Sequence, residues 1–80
     1  MPPPPPEPDA GLFSRLAGLR KKLATEQGVP PYVIFHDKTL RDMAEARPQD
    51  LEALSAIGGV GRAKLEKYGA RFLAVIHGAA

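Results

Sequence analysis

The 80-residue chain contains no cysteine, which removes disulfides, thiolate metal sites and cysteine nucleophiles together. It has no long hydrophobic run either. The longest contiguous apolar stretch is Phe72 to Ile76, far short of the roughly 20 residues a membrane span requires. Nor does the start of the sequence hold an apolar segment that could serve as a signal peptide. A soluble intracellular domain in a reducing cytoplasm is therefore expected, with no membrane partner. Length is short as well: one small domain fits, but not a cofactor domain and a substrate domain side by side.

Catalytic signatures are equally scarce. The cluster Gly58-Gly59-Val60-Gly61 fails as a Walker loop because Arg62-Ala63-Lys64 follows it instead of Lys-Ser/Thr. It fails as a dinucleotide fingerprint because the third glycine and a preceding strand are both missing. His36 and His77 have no ligand motif around them; His36 reads as a cap or surface residue and His77 as part of a fraying terminus. The hydroxyl residues Ser14, Thr25, Thr39 and Ser55 sit in no nucleophile-elbow context. A non-catalytic binding or regulatory module is expected, with no metal and no cofactor.

What is present is proline, helical periodicity and segmented charge. Six of the first eight residues are proline (Pro2 to Pro6 and Pro8), so residues 1–9 read as an extended, semi-rigid linker and residues 10–80 as the folded domain. From Asp9, a plausible N-cap, Leu12, Leu16, Leu19 and Leu23 recur at helical spacing up to a stop at Gly28. At about 100° per residue, Arg15 and Lys22 share one flank of that stripe, Arg20 takes the other and Lys21 faces away. Pro30 and Pro31 bar continuation, and a short helical turn from Pro31 suits Val33-Ile34-Phe35 better than a strand without a partner. A helix capped by His36 or Asp37 should run to about Arg47, with Leu40, Met43 and Ala44 inward and Pro48 ending it. Asp50 can cap a short helix carrying Leu51, Leu54 and Ile57. The last helix places Leu65, Tyr68, Phe72, Leu73 and Ile76 on one face, with Gly69 as a kink or break. The expected fold is all-α, a compact bundle of about five helices with short connections.

The net charge of +2 divides unevenly. Two basic segments, residues 12–36 and 53–80, flank an acidic one, residues 37–52, and each basic segment could meet phosphates. Gly59 and Gly61 allow a sharp helix-hairpin-helix turn, and the free amides of the following helix, with Arg62 and Lys64 just beyond, make an anion site. The same glycines could merely let two helices pack, with Val60 plugged into the core. Tyr32, held behind two prolines and near Arg20, Lys21, Lys22, Lys38 and Arg41, could stack a base of single-stranded nucleic acid or pack on the core. Lys64, Lys67 and Arg71 add a basic stripe. Asp42, Glu45, Asp50 and Glu52 would repel DNA and suit docking on another protein domain.

Two strings then become specific together. Val29-Pro30-Pro31-Tyr32-Val33-Ile34-Phe35 with Asp37, Thr39-Leu40 and Met43-Ala44, and downstream Ile57-Gly58-Gly59-Val60-Gly61 with Lys64-Leu65-Glu66-Lys67-Tyr68-Gly69 and Phe72, resemble the two signatures of the HRDC domain over about residues 12–78. That resemblance implies a five-helix bundle attached to a RecQ-family DNA helicase or to a ribonuclease D. It implies an auxiliary nucleic-acid-binding and regulatory role in DNA repair and recombination, with no ATPase activity of its own. It also implies a single-strand-binding surface at Tyr32, cytoplasmic and nucleoid-associated. The expected partners are single-stranded or branched DNA, bound weakly, and the helicase core; a monomer is expected. Lys38 and Arg41 depart from the family pattern by adding base, and the acidic run departs from a uniformly basic surface.

Overall fold

In the computed structural model, which describes residues 8–78 with side chains from residue 11 onward, the leucine stripe becomes one long helix. Helix α1 spans Pro8–Gln27 and buries Leu12, Leu16 and Leu23, with Leu19 half-buried beside them. The helix already contains Asp9, so Asp9 is not its N-cap: proline arrives with helical φ and no N–H to satisfy, which lets Pro8 sit in the first turn. Of the expected linker, residues 1–7 lie outside the described residues. The far end closes on Gly28 at φ 66°, where its N–H donates to Thr25 O at 3.3 Å and the Val29 N–H donates to Ala24 O at 3.0 Å. This paired closure needs a left-handed residue and explains the glycine.

Pro30 is extended (φ −63°, ψ 150°), and α2 (Pro31–Ile34) is the single turn expected after it. It turns Ile34 and Phe35 into the core and leaves Tyr32 and Val33 outside, 60% and 42% exposed. Helix α3 (Asp37–Ala46) buries Thr39, Leu40, Met43 and Ala44 and ends on Arg47 in the left-handed region, ahead of a buried Pro48. Helix α4 (Leu51–Ser55) starts where the Asp50 carboxylate accepts the Ala53 N–H at 2.7 Å, the cap read from the sequence. Its Leu54 is fully buried, whereas Leu51 is 46% exposed and not a core residue.

Helix α5 (Arg62–Ile76) runs unbroken through Gly69, so the expected kink is absent. Gly69 is buried for another reason. A Cβ there would lie 2.8 Å from Leu51 Cδ2 and 3.2 Å from Leu65 Cδ1, so its bareness lets α4 lie close on α5 and sets Leu51 over it as a partly exposed lid. Val75, outside the expected stripe, is buried, while Leu65 and Leu73 are only half-buried.

The core centres on Phe35, whose ring meets Phe72 edge-on at 5.0 Å and 88° and Tyr68 at 6.2 Å and 71°. The Tyr68 hydroxyl donates to Gln27 Oε1 at 2.9 Å, tying α5 to the end of α1. His77 is not left fraying, since its Nε2 lies 2.8 Å from Gln49 O. Among the described residues there are five helices and no strand, and no helix is long and apolar enough to cross a membrane.

Candidate nucleic-acid interface

The corner where α1, α2 and α3 meet gathers part of the basic and aromatic set. Pro30 and Pro31 set the start of α2, and its single turn sends Ile34 and Phe35 inward and Tyr32 outward. Its exposed ring stacks on His36, with centroids 6.1 Å apart and planes at 26°. Arg20, Pro31, Tyr32, His36, Asp37 and Lys38 line an open groove of about 490 Å³ around this pair.

Arg20 builds the corner instead of facing solvent. Its Nη1 donates to Phe35 O at 3.0 Å and to Asp37 Oδ1 at 2.7 Å, and its side chain is only 13% exposed. Such charge-assisted bonds are about twice as strong as neutral ones, so Arg20 fixes the α2–α3 turn against α1 and thereby positions Tyr32 and His36. It also covers part of the charge of Asp37, which would otherwise repel a phosphate at the rim. Lys21 and Lys22, next along α1, are exposed and make no ion pair among the described residues. Lys38 reaches Asp42, with Nζ 3.2 Å from Oδ2.

Two lysines of α5 lie over aromatic rings. Lys64 Nζ is 5.6 Å from the Phe35 centroid and Lys67 Nζ is 5.4 Å from that of Tyr68. Their stems cover apolar surface while their ammonium groups add charge near the α2 turn. Arg41 is elsewhere: its guanidinium lies 5.9 Å from the Phe13 ring, and it lines no part of the groove. Arg62 is exposed, 3.7 Å from Glu66.

The glycine hairpin divides its roles. Thr39 Oγ1 donates to Gly58 O at 3.0 Å, and a Cβ on Gly59 would overlap that same hydroxyl oxygen. Val60 is buried. Gly59 and Val60 therefore serve packing, and the Gly58 carbonyl ties the hairpin to α3. Gly61, the N-cap of α5, has open space where a Cβ would be, and it leaves the first amides of α5 accessible.

The four acids do not form one patch of equivalent carboxylates. Asp42 and Glu45 line a groove of about 410 Å³ with Ala46, Ala56, Ile57 and Gly58. The carboxylate of Asp50 is engaged as the α4 cap, and Glu52 is exposed in the first turn of α4, outside that groove. The sequence reading missed the His36 ring as a partner of Tyr32. The i, i+4 spacing of 32 and 36 was a signal for it, masked by the helix break between them.

The profile of the HRDC domain family matches residues 9–76. ATP-dependent DNA helicase RecQ of Haemophilus influenzae is 44% identical over 68 residues, covering 85% of this chain and 11% of that protein. RecQ of Bacillus subtilis is 50% identical over 62 residues, covering 78% of this chain and 10% of that protein. ATP-dependent DNA helicase UvrD2 of Mycobacterium tuberculosis is 46% identical over 70 residues, covering 88% and 10%. The chain thus spans about a tenth of the curated relatives it matches. The solved structure of D. radiodurans RecQ HRDC domain 3 superposes with a TM-score of 0.86 at 33% identity, over 91% of this chain and 96% of that one.

Proposed function

Starting from the fact that the chain belongs to the HRDC domain family, we propose that it is the accessory single-strand-binding domain of an ATP-dependent DNA helicase, of the RecQ type. The observation that carries this reading is Tyr32, 60% exposed on a proline-braced turn and stacked on His36 at a groove with cations on its rim. An aromatic of this size left outside a small core gains nothing from burial; it is available to stack a base, worth about 1–3 kcal/mol. Lys38 on the groove wall and Lys64 over the Phe35 ring supply phosphate contacts beside it. Lys21 and Lys22 at the end of α1 add exposed positive charge beyond the groove, and the amides beyond Gly61 offer one more contact. The relatives named as DNA helicases, RecQ and UvrD2, support the same assignment. With a net charge of only +2, free affinity is weak, and a tether to a motor already on DNA compensates by raising the effective concentration. The domain would then help the helicase hold single-stranded or branched DNA during repair and recombination.

A titration of labelled oligothymidine at several salt concentrations tests the phosphate part of this reading. Lys22→Ala should flatten the slope of log affinity against log salt by about 0.7, one single-strand phosphate contact. An unchanged slope removes Lys22 and the α1 end from the interface.

A second reading is favoured by the groove at Asp42 and Glu45. Carboxylates on an apolar floor suit a basic surface of the helicase core better than a strand of DNA, so this end of the domain would dock on protein and bias which DNA structure the motor engages.

A further inference from the structure

The strand groove and the acidic groove are the two ends of one furrow. A third depression of about 420 Å³ lies between them along α3. It shares His36 and Lys38 with the Tyr32 groove and Asp42 and Gly58 with the acidic one. At the junction, Lys38 Nζ and Asp42 Oδ2 stand 3.2 Å apart across one helical turn. Lys38 is the cation placed to reach a phosphate beside Tyr32, and Asp42 holds it.

That hold is weak by construction. The Lys38 side chain is 84% exposed, and exposed pairs of this kind contribute little. The order is also the poorer one for a helix, since the cation lies toward the N-terminus and the carboxylate toward the C-terminus. A pair this weak exchanges partners readily.

We propose that Lys38 is shared along the furrow between Asp42 and a strand phosphate, so that Asp42 keeps the strand site weakened until a cationic group of a docked protein takes over its carboxylate. This rests on the single-strand reading above. A cationic partner follows from the chemistry of the acidic end, where Asp42 and Glu45 flank Ala46, Ala56 and Ile57. Docking and strand binding then reinforce each other through one side chain.

A double-mutant cycle on oligothymidine affinity tests the coupling, with D42N standing for a neutralised carboxylate. Alone, D42N should tighten binding about two- to fivefold, the range of an exposed ion pair, and steepen the salt slope by about 0.7. K38A alone should weaken binding by less than D42N tightens it, because Asp42 holds that lysine for part of the time and only the shared remainder is lost. In the K38A background D42N should have no effect. Equal tightening in both backgrounds would mean that Asp42 only repels the strand directly, and no tightening in either would mean that it does not act on the strand; either result overturns the coupling. Loss of the single-strand reading looks different: the unmodified domain fails to bind, or Tyr32→Ala binds as well as it does. Thermal melts of both variants check folding, and since the Lys38 side chain is exposed and that of Asp42 partly exposed, neither change opens a cavity in the core.

Discussion

Phe35→Ala is expected to leave the domain largely unfolded at 37 °C. Phe35 is 1% exposed, and its ring is the meeting point of Phe72, Tyr68 and the Lys64 ammonium. Removing a buried phenylalanine ring costs about 3–5 kcal/mol, because lost transfer energy and the remaining cavity add. Below about 70–80 residues a single core rarely supplies more than about 3–5 kcal/mol of stability, so a chain this short loses most or all of its reserve. The backbone at the same residue accepts the Arg20 hydrogen bond, so loosening it also frees the turn that carries Tyr32. Far-UV circular dichroism during a thermal melt decides the matter. A cooperative melt within a few degrees of the unmodified domain would show that the three-ring contact is not the centre of the core.

Gly59→Ala should come next, at about 2–4 kcal/mol. The residue sits at φ 92°, where an L side chain is strained by roughly 1–2 kcal/mol. The new methyl would also overlap the Thr39 hydroxyl, and pushing Thr39 aside breaks its bond to Gly58 O and orphans a buried polar group at about 1–3 kcal/mol. Reduced freedom of the unfolded chain returns about 0.4–1 kcal/mol of this. Gly61→Ala is the matched control, because its φ is −75° and nothing stands where the Cβ would go; it should cost about 0.5–1 kcal/mol as a poorer cap. Urea titrations of the two variants should therefore separate clearly. Equal midpoints would mean that the hairpin tolerates a side chain at Gly59 and that its glycines are not there for packing.

Periodicity made the long elements legible. Leu12, Leu16 and Leu23 face inward because spacing alone forces them to one side of a helix, and Pro31 starts α2 because its fixed φ suits a first helical position, where its missing N–H is not needed. What the sequence hid are effects of a second element. Gly69 looks like a helix breaker in isolation, and only the approach of Leu51 from α4 shows it to be a packing contact. Leu51 and Leu54 stand together in the sequence as apolar residues of one short helix, and hydrophobicity alone does not say that Leu54 is buried while Leu51 lies half outside over Gly69. Asp9 was a fair cap until Pro8 entered the helix ahead of it.

The candidate site follows the same division. Tyr32 stands out in the sequence behind its two prolines, yet stacking a base and packing on the core both stay open there, and only the single turn of α2 leaves its ring 60% exposed. Arg20 could not be distinguished from Lys21 and Lys22 by charge; its commitment to Phe35 O and Asp37 depends on a turn fifteen residues downstream. Asp42, Glu45, Asp50 and Glu52 looked like one acidic patch in the sequence, yet a helix cap occupies Asp50 and the groove holds only Asp42 and Glu45.

The single-strand reading stands or falls on Tyr32. With the ring 60% exposed and no core contact to lose, Tyr32→Ala should weaken oligothymidine binding by about 1–3 kcal/mol, which is roughly five- to more than a hundredfold, while the melting temperature stays within a few degrees. Tyr32→Phe should keep most of the affinity, because stacking needs the ring and not the hydroxyl. Fluorescence anisotropy at fixed low salt, run beside a melt of each variant, gives both numbers. Undiminished binding by a folded Tyr32→Ala domain would contradict the assignment of this surface to single-stranded nucleic acid.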